Sequence, residues 1–377
     1  MTNAKPFQVA TVKAVTRAFR SKRQRRRFLV ADEVGLGKTI VAREVIRQMM
    51  DSLNRPLRVI YVCSNLAIRG QNQDSLLKVL PETERATAFC RVDRLSLITE
   101  VNQPTHSKLH LYSLTPDTSV PVRKNRRRDG RKEERALVHA LVEKLWPGMF
   151  RKEEWGRTVF RQGAKTYWKE AVKKQRVVAS SSSLQQAFLA SVRKEFKLEP
   201  RQQLLAHLRT LETDDAELVL ISHMRNALAA STIERIQPDL VIFDEFQKFR
   251  DLLNPKLNDT ERRVIGRLRG DDTAHPPALL MLSATPYQLF SRRWEEDNGT
   301  SHRSQFFELI EFLYGGDNRA KKKREKCEVA FQSLESELRK GHTKSDQAKL
   351  ARGSVEHLLR PIMSRTERAS HKDGWAE

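Results

Sequence analysis

Lys38 and Thr39 end the run Ala31-Asp-Glu-Val-Gly-Leu-Gly-Lys-Thr39, a cation and a hydroxyl behind two closely spaced glycines. Gly35 and Gly37 allow a tight turn whose backbone N–H groups can close around phosphate oxygens. A helix starting near Lys38 adds its positive N-terminal dipole. Lys38 would then reach the β- and γ-phosphates of a nucleotide, and the Thr39 hydroxyl would bind Mg²⁺. Asp32, Glu33, Val34 and Leu36 complete the loop, with Asp32 standing where the common phosphate-loop pattern has glycine. A second run, Asp239-Leu-Val-Ile-Phe-Asp-Glu-Phe-Gln247, ends an apolar stretch in two carboxylates. Asp244 would hold Mg²⁺, directly or through water, and Glu245 would polarise the lytic water as general base. Each run alone has a plainer reading, a surface loop for the first and an acidic helix cap for the second. Together in one chain they favour a phosphoryl-transfer site.

Two smaller features attach to this site. Leu282-Ser-Ala-Thr-Pro286 closes an apolar run with hydroxyl residues. Ser283 and Thr285 could bond the carboxylate strand and sense the γ-phosphate; an ordinary turn entered through Pro286 is the alternative. Near the start, Phe7 and Gln8 precede the cradle by the length of one helix. The Gln8 amide offers both a donor and an acceptor to an adenine edge, and Phe7 could pack the base.

The elements around these residues read as an α/β fold. Arg27-Phe-Leu-Val30 is short and apolar like a buried strand, and Ile40–Met50 carries apolar residues at helical spacing. Pro6–Phe19 reads as a further helix. Leu57–Cys63, Glu217–Ser222, Asp239–Phe243 and Ala278–Ser283 read as strands. Short apolar strands separated by helices predict a parallel sheet covered on both faces. From Ser304 onward the pattern is helical, with clusters at Phe306–Leu313 and at Leu334, Leu338 and Leu350. The stretch 91–215 is too long for a loop and reads as an inserted, mainly helical subdomain. The expected organisation is a first lobe part over 1–90, the insertion over 91–215, a second lobe part over 216–315 and a helical extension over 316–377.

The chain of 377 residues carries a net charge of +23, which points to a polyanionic partner, nucleic acid first. Within 121–176, eighteen Lys/Arg against seven Asp/Glu give +11, about half of that excess. Arg126, Arg127 and Arg128 sit in this tract, and Trp146, Trp155, Tyr167 and Trp168 interleave with the charges. One reading is a surface for phosphate backbones with aromatics for stacking; the other is a solvated basic face over a small local core. No apolar run is long enough to span a bilayer, and the N-terminus lacks a signal-peptide core. Three scattered cysteines form no metal-ligand spacing and fit a reducing cytoplasm.

In this order the segments resemble the first RecA-like lobe of a superfamily-two helicase of the Swi/Snf type, near the bacterial RNA-polymerase-recycling ATPases. Pro6-Phe-Gln8 resembles that branch's adenine-reading motif, and Asp32–Thr39 is similar to its Asp-Glu-x-Gly-Leu-Gly-Lys-Thr. The stretch from Val62 to Asn72, with Asn65 and Arg69, occupies the place of motif Ia along the tracking strand. Leu220–Met224, with Ser222 and His223, occupies that of motif Ib. Asp244-Glu-Phe-Gln247 stands where the family has Asp-Glu-Ala-His, so Phe246 and Gln247 depart from it. Ser283, Ala284 and Thr285 match motif III, which with Gln247 would couple hydrolysis to movement. Arg360–Arg368 looks like the basic element leading toward a second lobe.

The resemblance implies a RecA-like P-loop parallel sheet sandwiched by helices, ATP and Mg²⁺ as ligands, double-stranded DNA as partner and a bacterial, nucleoid-associated location. No second motif set follows Arg368 in this sequence. In the family that set supplies arginines worth on the order of 10³–10⁵ in rate. The expectation is therefore weak ATP–Mg²⁺ binding and poor hydrolysis by residues 1–377 alone. The rival readings are a strand-separating DNA or RNA helicase and a nucleic-acid-binding module with a vestigial nucleotide site.

Overall fold

The computed structural model describes residues 4–21, 26–63, 66–92, 94–115, 130–148, 159–164, 166–195, 202, 214–245, 266, 268–270, 275–283, 302–341 and 345–367. Four apolar runs become strands close to where the sequence predicts them: β1 (Arg27–Val30), β2 (Leu57–Cys63), β5 (Leu240–Asp244) and β6 (Ala278–Leu282). Three more were not anticipated: β3 (Phe89–Cys90), β4 (Leu109–Leu114) and β7 (Met363–Ser364). They join one seven-stranded sheet in the order β3-β4-β2-β5-β6-β1-β7, and every described pairing is parallel. A sheet buried on both faces selects continuous apolar runs, and β1, β5 and β6 are buried at every position. This is the expected α/β, RecA-like architecture.

Helices cover both faces. On one, α1 (Pro6–Arg20), α2 (Lys38–Asp51) and α3 (Leu66–Leu77) pack Val12, Val15, Val41, Val45 and Leu76 onto Phe28, Val30, Val59 and Ile242. A further set of helices comprises α4 (Lys132–Leu145), α5 (Trp168–Val178), α6 (Ser182–Glu195) and α7 (Asp214–Ile236). The chain then supplies α8 (His302–Tyr314), α9 (Asn318–Arg339) and α10 (Asp346–Leu359). The second sheet face is covered by α8, α9, α10 and the C-terminal half of α7, through Ile310, Phe331, Val355 and Ile233.

A separate core forms among α4, α5, α6 and the N-terminal half of α7, with Leu141, Val172, Phe188 and Met224 inside it. The long α7 thus serves both cores. Where the helical module meets the sheet lobe, Glu134 is buried and takes Arg94 at 2.8 Å, Arg225 at 3.0 Å and the Ser96 hydroxyl. Burial opposes ionisation of Glu134, but the Arg225 and Arg94 charges together with the bonds from Ser96 and Arg131 N outweigh it and hold the carboxyl below its usual range.

Two expectations are corrected here. Glu217–Ser222 is part of helix α7, not a strand: a short apolar run does not distinguish a buried helix from a buried strand, and the helix that contains it runs for 23 residues. The helical module is also shorter than 91–215, because β4 pairs with β2 over six residues inside the sheet. At the other limit, α7 crosses residue 216 without a break.

Candidate active site

The strand register decides what meets at the carboxyl rim of the sheet. Cys63, Asp244, Leu282, Val30 and Ser364 lie opposite one another across β2, β5, β6, β1 and β7. The glycine-rich loop leaves β1 directly after this row, and Asp244 ends β5 within it. Only β6 separates the two, so their backbones are about 10 Å apart at ordinary strand spacing. Ser283, the residue after Leu282 of that row, is buried, and its N–H donates to Val30 O at 3.0 Å.

The loop has the backbone its sequence demands. Gly35 and Gly37 have φ of 83° and 80°, the left-handed region, and Gly37 is the residue before α2. A Cβ at Gly37 would stand 2.5 Å from Gln8 Nε2. Gln8 is buried against the loop: its Nε2 donates to Leu36 O at 2.8 Å, and its Oε1 accepts from Lys5 N at 2.8 Å. One donor and one acceptor direction of the amide remain, the pair an adenine edge would take. Phe7, beside it on α1, is half-buried.

Lys38 Nζ donates to the carbonyls of Asp32 at 2.9 Å and Glu33 at 3.2 Å. Burial lowers the Lys38 ammonium from its ordinary value, while Glu245, Asp32 and Asp244 pull it back up. The cradle's cation thus feels the charge of the carboxylates at the end of β5. Thr39 follows on the first turn of α2, half-buried, and Val34 is the exposed tip of the loop.

Asp32 is fully buried. Its Oδ1 accepts from Thr366 N at 2.8 Å, and Glu33 N donates to Thr366 O at 3.1 Å. Asp32 Oδ2 has no hydrogen-bond partner among the described residues. Burial raises its carboxyl above the usual range, against the Thr366 bonds and the Lys38 charge. The aspartate in place of glycine therefore staples the loop to the segment after β7.

Asp244 is held by groups the sequence did not single out. Its Oδ2 accepts from Tyr61 Oη at 2.5 Å and Asn72 Nδ2 at 2.8 Å, and Asn72 also donates to Tyr61 Oη at 2.8 Å. Its Oδ1 accepts from Glu245 N at 3.0 Å. Three of the roughly four acceptor sites of a carboxylate are thus used, leaving one on the rim. Burial, then the Asp244 charge, pushes the Tyr61 phenol far above its ordinary value, so it stays a donor. Glu245 has φ of 58°, a left-handed conformation costing a non-glycine residue about 1–3 kcal/mol. One signal for Tyr61 was available: a tyrosine in a strand buried on both faces must find a partner for its hydroxyl.

The nucleic-acid candidates divide. Arg69 lies on α3, with one guanidinium nitrogen 3.5 Å from Ser113 O. Ser222 and His223 are on α7 between core residues Ile221 and Met224 of the helical module, not on a strand at the rim. Trp146 and Trp168 are buried in that module's core, so neither offers a face for a base. Tyr167 is 63% exposed, with Lys132 Nζ 5.3 Å from its ring centre. Asn65, Arg126, Arg127, Arg128, Trp155, Gln247, Ala284 and Thr285 lie outside the described residues.

Residues 2–126 match the family model of the type III restriction enzyme res subunit, a superfamily-two helicase-like N-terminal domain. The match takes in α1, the cradle and β2 to β4, and stops short of β5. No curated protein matches the chain. Among the described residues no helix is long and apolar enough to cross a membrane.

Proposed function

We propose that this chain is the ATP-binding and ATP-hydrolysing lobe of a Swi/Snf-like motor that moves on duplex DNA. The observation that carries the reading is the register row that brings the Lys38 cradle and the Asp244–Glu245 pair to one rim of the sheet. The residues fit a magnesium-bound triphosphate: a glycine turn open to phosphate, a half-buried lysine and a carboxylate with one acceptor site left. Lys38 binds the β- and γ-phosphates in exchange for the loop carbonyls. Thr39 and Asp244 hold the Mg²⁺, which when bound neutralises charge gathering on the phosphate oxygens. Tyr61 and Asn72 keep Asp244 in place. Glu245 takes the proton of the attacking water. Gln8 and Phe7 hold the adenine, while Ser283, with Ala284, Thr285 and Gln247, relays the state of the γ-phosphate.

On this reading Asn65 and Arg69 touch the phosphate backbone, Arg126, Arg127 and Arg128 add to that grip, and a second RecA-like lobe completes the ATP site. Residues 1–377 alone then bind ATP weakly and turn it over slowly. The test is thermal unfolding of the chain with and without ATP and Mg²⁺. A bound ligand at a hundred times its Kd adds about 2.7 kcal/mol of stability. The expected result is a rise in Tm that needs both ATP and Mg²⁺ and vanishes in Lys38→Ala. No rise at millimolar ATP, or an equal rise in the variant, overturns the assignment and leaves the nucleic-acid-binding module.

A further inference from the structure

Helix α9 presents a row of cations that the nucleotide site does not use. Arg319, Lys322, Lys323 and Lys326 stand at i, i+3, i+4 and i+7, and all four are exposed. At 3.6 residues per turn they fall within about 100° of the helix circumference and span about 10 Å. No carboxylate is ion-paired to any of the four among the described residues; Lys323 lies 5.8 Å from the Tyr314 ring centre. Arg324, on another face, is neutralised by Glu311 and Glu328.

Stability alone does not account for this row. Asp317 caps α9 and accepts from Ala320 N at 2.9 Å, but the first turn itself holds no acidic residue, and Arg319 stands in it at the positive end of the helix dipole. Like charges three and four residues apart also repel one another. A local arrangement that costs folding energy is expected at a functional surface.

The row also lies away from the nucleotide. Arg27, the first residue of β1, donates to Phe312 O near the end of α8. Helix α9 runs antiparallel to α8, with Phe331 against Phe306 and Phe307 and Arg324 reaching Glu311. Its first turns therefore sit at the amino edge of the sheet, opposite Lys38.

We infer that this face of α9 is a docking surface for the phosphate backbone of duplex DNA, separate from any contact at the carboxyl rim. A duplex carries one charge per about 1.7 Å of axis with both strands counted, so 10 Å of it holds about six phosphates, about three on each strand. A membrane surface fits less well, because an interfacial helix needs a free apolar face and that of α9 is spent on Cys327, Ala330 and Phe331 in the core. The inference rests on nucleic acid being the partner, but not on ATP being the ligand.

The test replaces Arg319, Lys322, Lys323 and Lys326 by Gln in the full chain and measures affinity for a short duplex across a salt series. Loss of four phosphate contacts flattens the slope of log K against log salt by up to about 3.6. The expected result is a flattening of about two or more and at least tenfold weaker binding at low salt. Tm should be unchanged or higher, and the Mg²⁺–ATP response intact. Substituting the three lysines by Arg should keep the parent slope. An unchanged slope overturns the surface, as does a parent chain held on phosphatidylserine vesicles that duplex DNA cannot displace. Loss of the ATP response in the parent chain would instead count against the motor reading and leave this surface standing.

Discussion

Removing one oxygen atom tests how Asp244 is held. Tyr61→Phe deletes the hydroxyl that donates to Asp244 Oδ2 at 2.5 Å and accepts from Asn72 at 2.8 Å. The ring stays buried with its packing intact, so the loss is the hydrogen bonds. A bond to a charged acceptor contributes about 1.5–3 kcal/mol, against about 0.5–1.5 kcal/mol for a neutral one. Tyr61→Phe should therefore lower the unfolding free energy by about 1.5–3 kcal/mol, read as a lower urea midpoint with unchanged slope. The same substitution in an Asp244→Asn background should cost only about 0.5–1.5 kcal/mol, because the acceptor no longer carries charge. A double-mutant cycle isolates that difference. Equal costs in both backgrounds, or a cost within about 0.5 kcal/mol of zero in the parent, would refute the clamp.

Three other outcomes follow from the geometry. Gly37→Ala should destabilise the loop and abolish the nucleotide-dependent Tm rise, since the position has φ of 80° and a Cβ would stand 2.5 Å from Gln8 Nε2; a normal Tm rise would contradict the cradle. Glu134→Ala leaves the buried Arg225 and the half-buried Arg94 without their shared carboxylate and should cost about 3–5 kcal/mol in urea unfolding, whereas a loss under about 1 kcal/mol would mean that the pin is solvated. Asp32 has a folded-state carboxyl raised by burial, so the native state holds its proton more tightly than the unfolded chain does. Its contribution is full below the unfolded value of about 3.9 and is lost as pH rises through the folded value. Asp32→Asn should remove that fall, so the stability difference, variant minus parent, should grow from pH 4 upward; a flat difference would contradict the assignment.

The sequence made the chemistry legible wherever it was local. Lys38, Thr39 and the two glycines form one contiguous turn, and Asp244–Glu245 ends a strand buried on both faces, which shows as an unbroken apolar run. It was silent on partners set by tertiary contact: Tyr61 and Asn72 reach Asp244 across 183 and 172 residues, and Thr366 reaches Asp32 across 334. β7 is two residues long, too short for any periodicity. β4 went unread because His110 and Ser113 interrupt its apolar residues inside a stretch dominated by basic and helical signals; His110 Nε2 meets His106 O. Glu217–Ser222 reads as a strand because Leu218–Ile221 is a short apolar run without the alternation or length that would tell helix from strand; in the fold Leu220 and Ile221 enter the helical module's core.

The central claim is that one triphosphate is gripped jointly by Lys38 and by the carboxylates at the end of β5. Calorimetric titration of Mg²⁺–ATP into the parent chain, Lys38→Ala, Asp244→Ala and Glu245→Gln measures it directly. The account predicts one site per chain, weakened at least tenfold in the first two variants, with Glu245→Gln binding as tightly as the parent but releasing no phosphate. Binding untouched by Lys38→Ala, or phosphate release untouched by Glu245→Gln, would contradict it.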